Sequence, residues 1–343
     1  MRVGIVGAYS TKYELRSGKE SWELLEEAVR GVLKAVDKGI EGKEIDFLLV
    51  SNFSDRFGGI LHTAPYVASI AGATNAKGLR VEDACASGGA ALYLAWSMIR
   101  AGLARNVLVV GFEKMSHQPT TAEVNEVLMA AGHPEEIVLG APFVSLYALI
   151  AKAYMDRYGV TEEDLALVAV KNHDNGLRNP LAAMRRKITV DDVLKSPYVS
   201  WPLKLYDSSL ITDGAVALLV SGDPKKYTDT PVYIEGMGLA HDTPGVFERP
   251  DITELRAIRA ASDEAFRTSG LSIENVDVLE VHDAFTISEL ISYEMLGLAR
   301  RGEGAKLLRE GVVLFGGEKP VNPSGGLKSK GHPVGATGVG MAA

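Results

Sequence analysis

One cysteine stands among 343 residues, with seven histidines. Cys85 lies in Asp83-Ala84-Cys85-Ala86-Ser87-Gly88-Gly89, at the mouth of a run with no charge before Arg100. The thiolate is the nucleophile, and a helix N-terminus favours the anion, so this placement predicts a thiol more acidic than the free value of ~8.5. Gly88 and Gly89 in a first turn weaken a helix by ~1 kcal/mol each against Ala, which makes sense where something approaches the backbone closely. A buried cysteine acting as a small hydrophobe is the competing reading, and the residue alone leaves both open.

His282 follows the run Val276–Val281 (VDVLEV). Strand C-terminal ends are where open α/β sheets build their sites. It reads equally as a strand-end cap, with Asp283 starting the next helix. His332 sits in a glycine- and proline-rich stretch, Asn322 to Gly338, that describes a shaped loop. The stretch lacks the G-K-[ST] ending of a phosphate loop, and a structural turn before a helix competes with a catalytic role. A thiol with a histidine base is the arrangement for acyl transfer through a covalent thioester. A second imidazole would donate to the oxygen on which charge develops.

The elements that must position these residues alternate as strand and helix. Val3–Gly7 reads as a buried strand, and Trp22, Leu25, Val29, Val32, Leu33 and Val36 give the inner face of a helix closed by Gly39. Ile45–Val50 is a strand covered on both faces, a helix follows at Thr63–Ala71, and strands at Leu79–Glu82 and Val107–Val110 flank the uncharged segment Ala84–Ile99. A helix apolar on every side belongs in the middle of the protein. This βαβα rhythm predicts a mostly parallel sheet with helices on both faces. Residues 117–208 interrupt it as an insertion around a helix at Phe143–Tyr158, and Ala215–Val220 resumes it.

The first half then repeats. Val232–Met237 is a strand, a helix ends at Gly270, and Val276–Val281 matches Ile45–Val50 with Asp277 opposite Asp46. Ile287, Leu290, Ile291, Met295 and Leu298 mark the next helix, and Asn322–Gly338 takes the place that Val81–Gly89 holds in the first half. The expected organisation is a duplicated α/β architecture. One half comprises 1–116 with 209–221, an inserted domain spans 117–208, and the other half spans 222–343. No strand after residue 343 mirrors Ala215–Val220, so further residues are expected beyond it. The duplication brings Cys85 and His332 to equivalent strand–helix junctions, with His282 at a neighbouring strand end.

Composition narrows the function classes. Net charge is −8, against the basic excess of a nucleic-acid footprint. Hydrophobic residues make up 46% and charged residues 23%, the proportions of a chain that buries a core. A single cysteine excludes a disulfide framework and a cysteine-clustered metal site. His62, His117, His133, His173 and His241 lack ligand spacing and read as structural or solvated. No apolar run approaches a bilayer span and MRVGIVGAYS has no signal-peptide pattern, so a cytoplasmic location is expected.

At three places the chain resembles the thiolase superfamily: DACASGGAAL around Cys85, HDAF at 282–285, and NPSGGLKSKGHPVGATG around His332. The likeness is nearest to the sterol-carrier-protein type and its archaeal relatives, and VKNHDNGLRNP (170–180) with the segment 196–221 extends it over most of the chain. The resemblance implies a five-layer αβαβα fold of duplicated βαβαβ halves with a long inserted loop domain. It implies an acetyl-CoA C-acetyltransferase in which Cys85 is acylated, His332 activates the thiol and His282 stabilises the enolate of a second acetyl-CoA. Gly331, Asp283 and Gly335 would complete the oxyanion environment and its support, Asp283 orienting its neighbours rather than reacting. Arg185, Arg186 and Lys187 would contact coenzyme A phosphates, a run that a solvated helix face explains equally well. No metal or resident cofactor is implied, coenzyme A thioesters being the substrates. Implied partners are acyl-CoA, further copies of the chain as a homodimer or tetramer, hydroxymethylglutaryl-CoA synthase and a zinc-ribbon/OB-fold accessory protein, feeding mevalonate synthesis.

The chain departs from that pattern at Ala284, where the sterol-carrier-protein type has a second cysteine. The base that removes the α-proton is then supplied by residues beyond 343, by His332 or by water. Two alternatives follow: an acyl-CoA-binding scaffold with little turnover, and another condensing enzyme of the same fold, of the ketoacyl synthase or hydroxymethylglutaryl-CoA synthase type.

Overall fold

The computed structural model describes residues 2–343. Its first elements are β1 (Val3–Ser10), α1 (Ser21–Lys34), β2 (Phe47–Ser51), α2 (Asp55–Gly58), α3 (Thr63–Ala71), β3 (Lys77–Val81), α4 (Ser87–Arg100) and β4 (Asn106–Lys114). Next come α5 (Thr121–Met129), α6 (Pro134–Val138), α7 (Phe143–Tyr158), α8 (Glu162–Gly176), α9 (Val190–Lys195) and the short pair β5 (Tyr198–Ser200) and β6 (Leu203–Lys204). The chain continues through β7 (Asp213–Ser221), β8 (Val232–Ile234), α10 (Arg256–Ser269), α11 (Thr286–Met295), α12 (Gly304–Arg309) and α13 (Val334–Ala342).

These elements form two compact units. The first comprises Met1–Pro119, Ile211–Met237 and Pro333–Ala343, of which residue 1 is outside the description. Its sheet has six strands in the order β3-β2-β4-β7-β1-β8. β2 pairs parallel with β3 and β4, as the alternating pattern predicts, but β7 runs antiparallel to both β4 and β1, and β8 antiparallel to β1. The sheet is therefore mixed rather than mostly parallel. β7 enters from a separate excursion of the chain, so no strand–helix–strand crossover fixes its direction. Every residue of β2, β4 and β7 is buried, which explains their unbroken apolar runs.

Leu25, Val29 and Val32 of α1 pack with Ala64 and Val67 of α3 against Leu48, Val50, Leu108, Val110, Ala217 and Leu219. Trp22, expected on that inner face, is 47% exposed, and Leu24 and Ala28 are buried instead. α4 and α13 pack together and against the same sheet, with Gly111 of β4 meeting the carbonyl of Gly335. The uncharged α4 is buried along one side, not all round: Ala91, Ala95 and Ile99 are inside, while Leu94 is exposed.

The second unit comprises Thr120–Leu210 and Gly238–His332. The inserted region forms helices α5–α9, and it shares a core with the later part of the chain. Leu146, Ile150 and Tyr154 of α7 and Leu165 and Val168 of α8 pack with Ile287, Leu290 and Ile291 of α11. The sheet expected in the second half is reduced among the described residues to one parallel bridge, Leu279 with Val321. Val232–Ile234 pairs with β1 of the first unit's sheet instead of heading a second one. Val278 stands 53% exposed, so the run Val276–Val281 finds a neighbour on one side only and no ladder grows from it.

Candidate active site

In the first unit, Cys85 lies in a single 3-10 turn, Ala84–Ala86, between β3 and α4. Ala84 adopts φ +44°, the left-handed region that costs a non-glycine residue of order 1 kcal/mol. Two side chains hold the turn. Glu82 accepts from the Ala84 N–H (2.7 Å), and the Ser87 hydroxyl accepts from the Asp83 N–H (2.8 Å) while donating to the Ala84 carbonyl (2.6 Å). The expected close approach at the glycines is real at Gly88, where a Cβ would lie 2.6 Å from the Val339 nitrogen, but Gly89 faces open space.

The half-buried thiol is not acidified. Burial pushes it up to about 12, and the carboxylates of Glu113 and Glu82 push the same way against a weaker backbone contribution. The helix-terminus argument fails here because desolvation of the anion outweighs the partial charge of one turn.

Glu113 was not singled out by sequence, although a lone acid ending the apolar strand Val107–Phe112 is the signal for it. It is fully buried. It accepts hydrogen bonds from Asn52 Nδ2 (2.6 Å) and the backbone N–H groups of Phe53 (2.8 Å), Ser54 (3.4 Å) and Gly335 (2.9 Å). Burial raises its carboxyl to about 8 despite those donors. Gly335 is thereby committed: its N–H goes to Glu113 and its carbonyl accepts from Ser51 Oγ at 2.7 Å.

In the second unit, the rings of His282 and His332 meet edge to face with centroids 5.0 Å apart. Burial lowers His282 to about 4 and His332 well below its ordinary value, the latter helped by the charges of His282 and Lys330. Both are neutral imidazoles at pH 7. Asn322, itself at φ +54°, accepts from the Val281 N–H through Oδ1 (2.8 Å) and so fixes the end of the segment that carries His282. Gly331, before His332, has φ +124°, a conformation only glycine adopts without strain.

Asp283 is fully buried and seated in the turn Gly326–Lys330. It accepts from the N–H groups of Leu327 (2.7 Å) and Lys328 (3.4 Å) and from Asn172 Nδ2 (2.7 Å). A Cβ on Gly326 would stand 2.4 Å from its carboxylate. Asp283 thus ties the neighbour of His282 to the loop leading to His332. Beneath lies Glu289, paired with Lys171 (2.7 Å) and accepting from Asn172 and Asn322. Lys328 is buried with no hydrogen-bond partner at Nζ, and burial lowers it.

Arg185, Arg186 and Lys187 are exposed in the second unit, with Arg185 donating to the Leu177 carbonyl (3.0 Å). The other histidines are engaged or at the surface. His117 contacts the Phe57 carbonyl and Glu20, His173 the Arg186 carbonyl, and His133 caps α6, while His62 and His241 are exposed.

The chain matches two family models: the thiolase N-terminal domain over residues 3–223 and the thiolase C-terminal domain-like family over 238–343. It is 38% identical to a protein named acetyl-CoA acetyltransferase from Methanothermobacter thermautotrophicus, over 99% of this chain and 89% of that one. A protein of the same name from Methanocaldococcus jannaschii is also 38% identical, over 98% and 87%. Among solved structures, one titled Ltp2-ChsH2(DUF35) aldolase superposes with TM-score 0.84 at 24% identity, covering 99% of this chain and 88% of that chain. Matched along both of its halves, the chain belongs to the thiolase family.

Proposed function

We propose that this protein is an acetyl-CoA C-acetyltransferase that works through Cys85, His332 and His282. Cys85 Sγ attacks the carbonyl carbon of an acetyl-CoA thioester as its proton passes to His332. The new S–C bond forms, the bond to coenzyme A breaks, and the departing thiolate takes the proton from His332. A second acetyl-CoA then loses an α-proton to His332, and His282 donates to its thioester oxygen as the enolate forms. That carbanion attacks the acetyl carbon, releasing acetoacetyl-CoA and the Cys85 thiolate, which recovers the proton from His332. Thiolysis is the reverse.

The observation that carries this reading is the pair of uncharged imidazoles, His282 and His332, packed at 5.0 Å. A thiol held near 12 does not ionise alone, so it needs a neutral base that acts as the bond forms. Relatives at 38% identity carrying the acetyltransferase name support the same substrate class. Ala284, standing where the sterol-carrier-protein type has a second cysteine, is the reason the α-proton is proposed to pass to His332. Arg185, Arg186 and Lys187 are proposed to meet coenzyme A phosphates, with no resident cofactor. A homo-oligomer, an accessory subunit of the DUF35 kind and a consumer of acetoacetyl-CoA on the way to mevalonate complete the proposal.

Incubation with acetyl-CoA is expected to add the mass of one acetyl group at Cys85, and Cys85→Ala to abolish it. A wild-type protein that never labels there overturns the reading. The lone cysteine also favours a second reading, an acyl-CoA-binding subunit with little turnover. Measurable acetoacetyl-CoA formation by the protein, alone or with its accessory subunit, rejects it.

A further inference from the structure

Glu113 is a buried carboxylate with no cation in contact. Its partners are four N–H donors drawn from two separate stretches, Asn52–Ser54 after β2 and Gly335 in the first turn of α13. The fit around it is tight. A Cβ on Gly335 would lie 2.6 Å from Asn52 Cα and 2.8 Å from the Phe112 carbonyl, so the helix start cannot slide on the strand ends. α13 begins two residues after His332, and its residues Gly338 and Val339 press on Gly88, three residues after Cys85. The carboxylate therefore sits where the nucleophile's helix and the base's helix are both referenced to one sheet.

Its hydrogen bonds rule out a proton shuttle, because both oxygens are already occupied by donors. They leave two effects on the reaction, one mechanical and one electrostatic. Resting on the acetyltransferase reading, we propose that Glu113 is a positioning residue for Cys85, fixing the start of α13 to the sheet and setting the field at the thiol. The charged groups facing Cys85 are Glu82 and Glu113, and Arg80 faces Glu113. α13 carries no ionisable side chain, and Lys114, next in the strand, is turned away to Asp213. His282 and His332 are uncharged at neutral pH. Once ionised, above about 8, the Glu113 carboxylate favours the neutral thiol and adds to what burial does at Cys85. The site keeps its nucleophile masked until an acyl thioester and the neutral base arrive together.

The test is the pH profile of Cys85 alkylation by iodoacetamide, read by mass, on the full chain. Wild type is expected to alkylate with a midpoint well above the ordinary ~8.5 of a cysteine. Glu113→Gln is expected to move the midpoint down by about one pH unit or more, raising the rate roughly tenfold at about pH 10, where the wild-type carboxyl is ionised. The same variant should slow acetyl transfer to Cys85 with little change in KM for acetyl-CoA. Because Glu113→Gln leaves a donor facing donors and is prone to misfold, Asn52→Ala is the second variant. It removes one donor and loosens the hold on the start of α13 while the charge stays, so it should slow acetyl transfer and leave the midpoint in place. A wild-type midpoint at or below 8.5 overturns the proposal without any variant, and so does a folded Glu113→Gln protein with an unchanged midpoint. If wild type fails to take an acetyl label, the acetyltransferase reading falls separately, since alkylation needs no turnover.

Discussion

Gly88 and Gly338 cross backbone to backbone: a Cβ on Gly88 would stand 2.9 Å from Gly338 Cα, and one on Gly338 would stand 2.4 Å from the Gly89 nitrogen. The helices that follow Cys85 and His332 in sequence are thereby packed at their first turns, where any side chain would hold them apart. Gly88→Ala and Gly338→Ala should each destabilise by about 1–3 kcal/mol, the usual cost of overpacking. Gly89→Ala is the control. Nothing lies within 4 Å of its added methyl, so it should be neutral or stabilise the helix by up to ~1 kcal/mol. Urea denaturation of the three variants decides the matter, and equal effects at Gly88 and Gly89 would contradict the crossing.

His173 gives a pH dependence of stability whose sign is fixed by its burial. Its ring is 1% exposed, contacts the Arg186 carbonyl at 3.0 Å, and is lowered to about 4 by desolvation. Below pH 6.5 the unfolded histidine takes up a proton that the folded one refuses, so stability falls as pH drops toward 4. Above 6.5 neither form is charged and the contribution is flat. His173→Gln should flatten the stability curve between pH 6.5 and 4 by up to about one proton equivalent, measured by urea titration at several pH values. An unchanged slope would show that the imidazole is solvated.

Much of this molecule is legible from local patterns, and the exceptions share a cause. Thr63–Ala71 and Phe143–Tyr158 are helices at their expected bounds because their apolar spacing and their glycine stops, Gly72 and Gly159, act locally. The direction of β7 and the lost ladder at Val276–Val281 depend on which strands arrive as neighbours, which spacing within a segment does not encode. The same holds at the site. Residue type and loop composition point to Cys85, His282 and His332. The thiol is raised rather than acidified because its burial, and after it the charge of Glu113, 28 residues away, enter only through folding. That the Gly335 N–H is taken by Glu113 likewise follows only from the folded chain.

Asp283 has its carboxylate in the cradle of Leu327 and Lys328 N–H groups, with Asn172 on its flank. Asp283→Asn keeps the size but turns an amide NH2 toward existing donors, so about 1–3 kcal/mol of stability should be lost. The His282 and His332 rings depend on that cradle for their spacing. The acetyl-transfer rate should therefore fall more than the affinity for acetyl-CoA, seen as a drop in kcat with KM nearly constant. A loss confined to KM would assign Asp283 to substrate binding instead. Gly326→Ala, which drives a methyl into the same carboxylate, should reproduce the kcat effect.

Lys171 and Glu289 form the ion pair under that cradle at 2.7 Å, and both side chains are almost wholly buried. Glu289 also accepts from Asn172 and Asn322, and Lys171 also donates to the Asn172 side chain and the Val321 carbonyl. Removing one charge strands the other in a dry interior. Lys171→Met should cost about 3–5 kcal/mol, and Glu289→Gln a similar amount, because each leaves a buried ion without its counter-ion. The double variant Lys171→Met, Glu289→Gln should lose much less than the sum, since no charge is left uncompensated. Chemical denaturation of the four proteins gives the coupling energy directly. Additive losses would mean that solvent or a rearranged side chain neutralises each group alone, and the pair would then have no hold on the segment carrying His282.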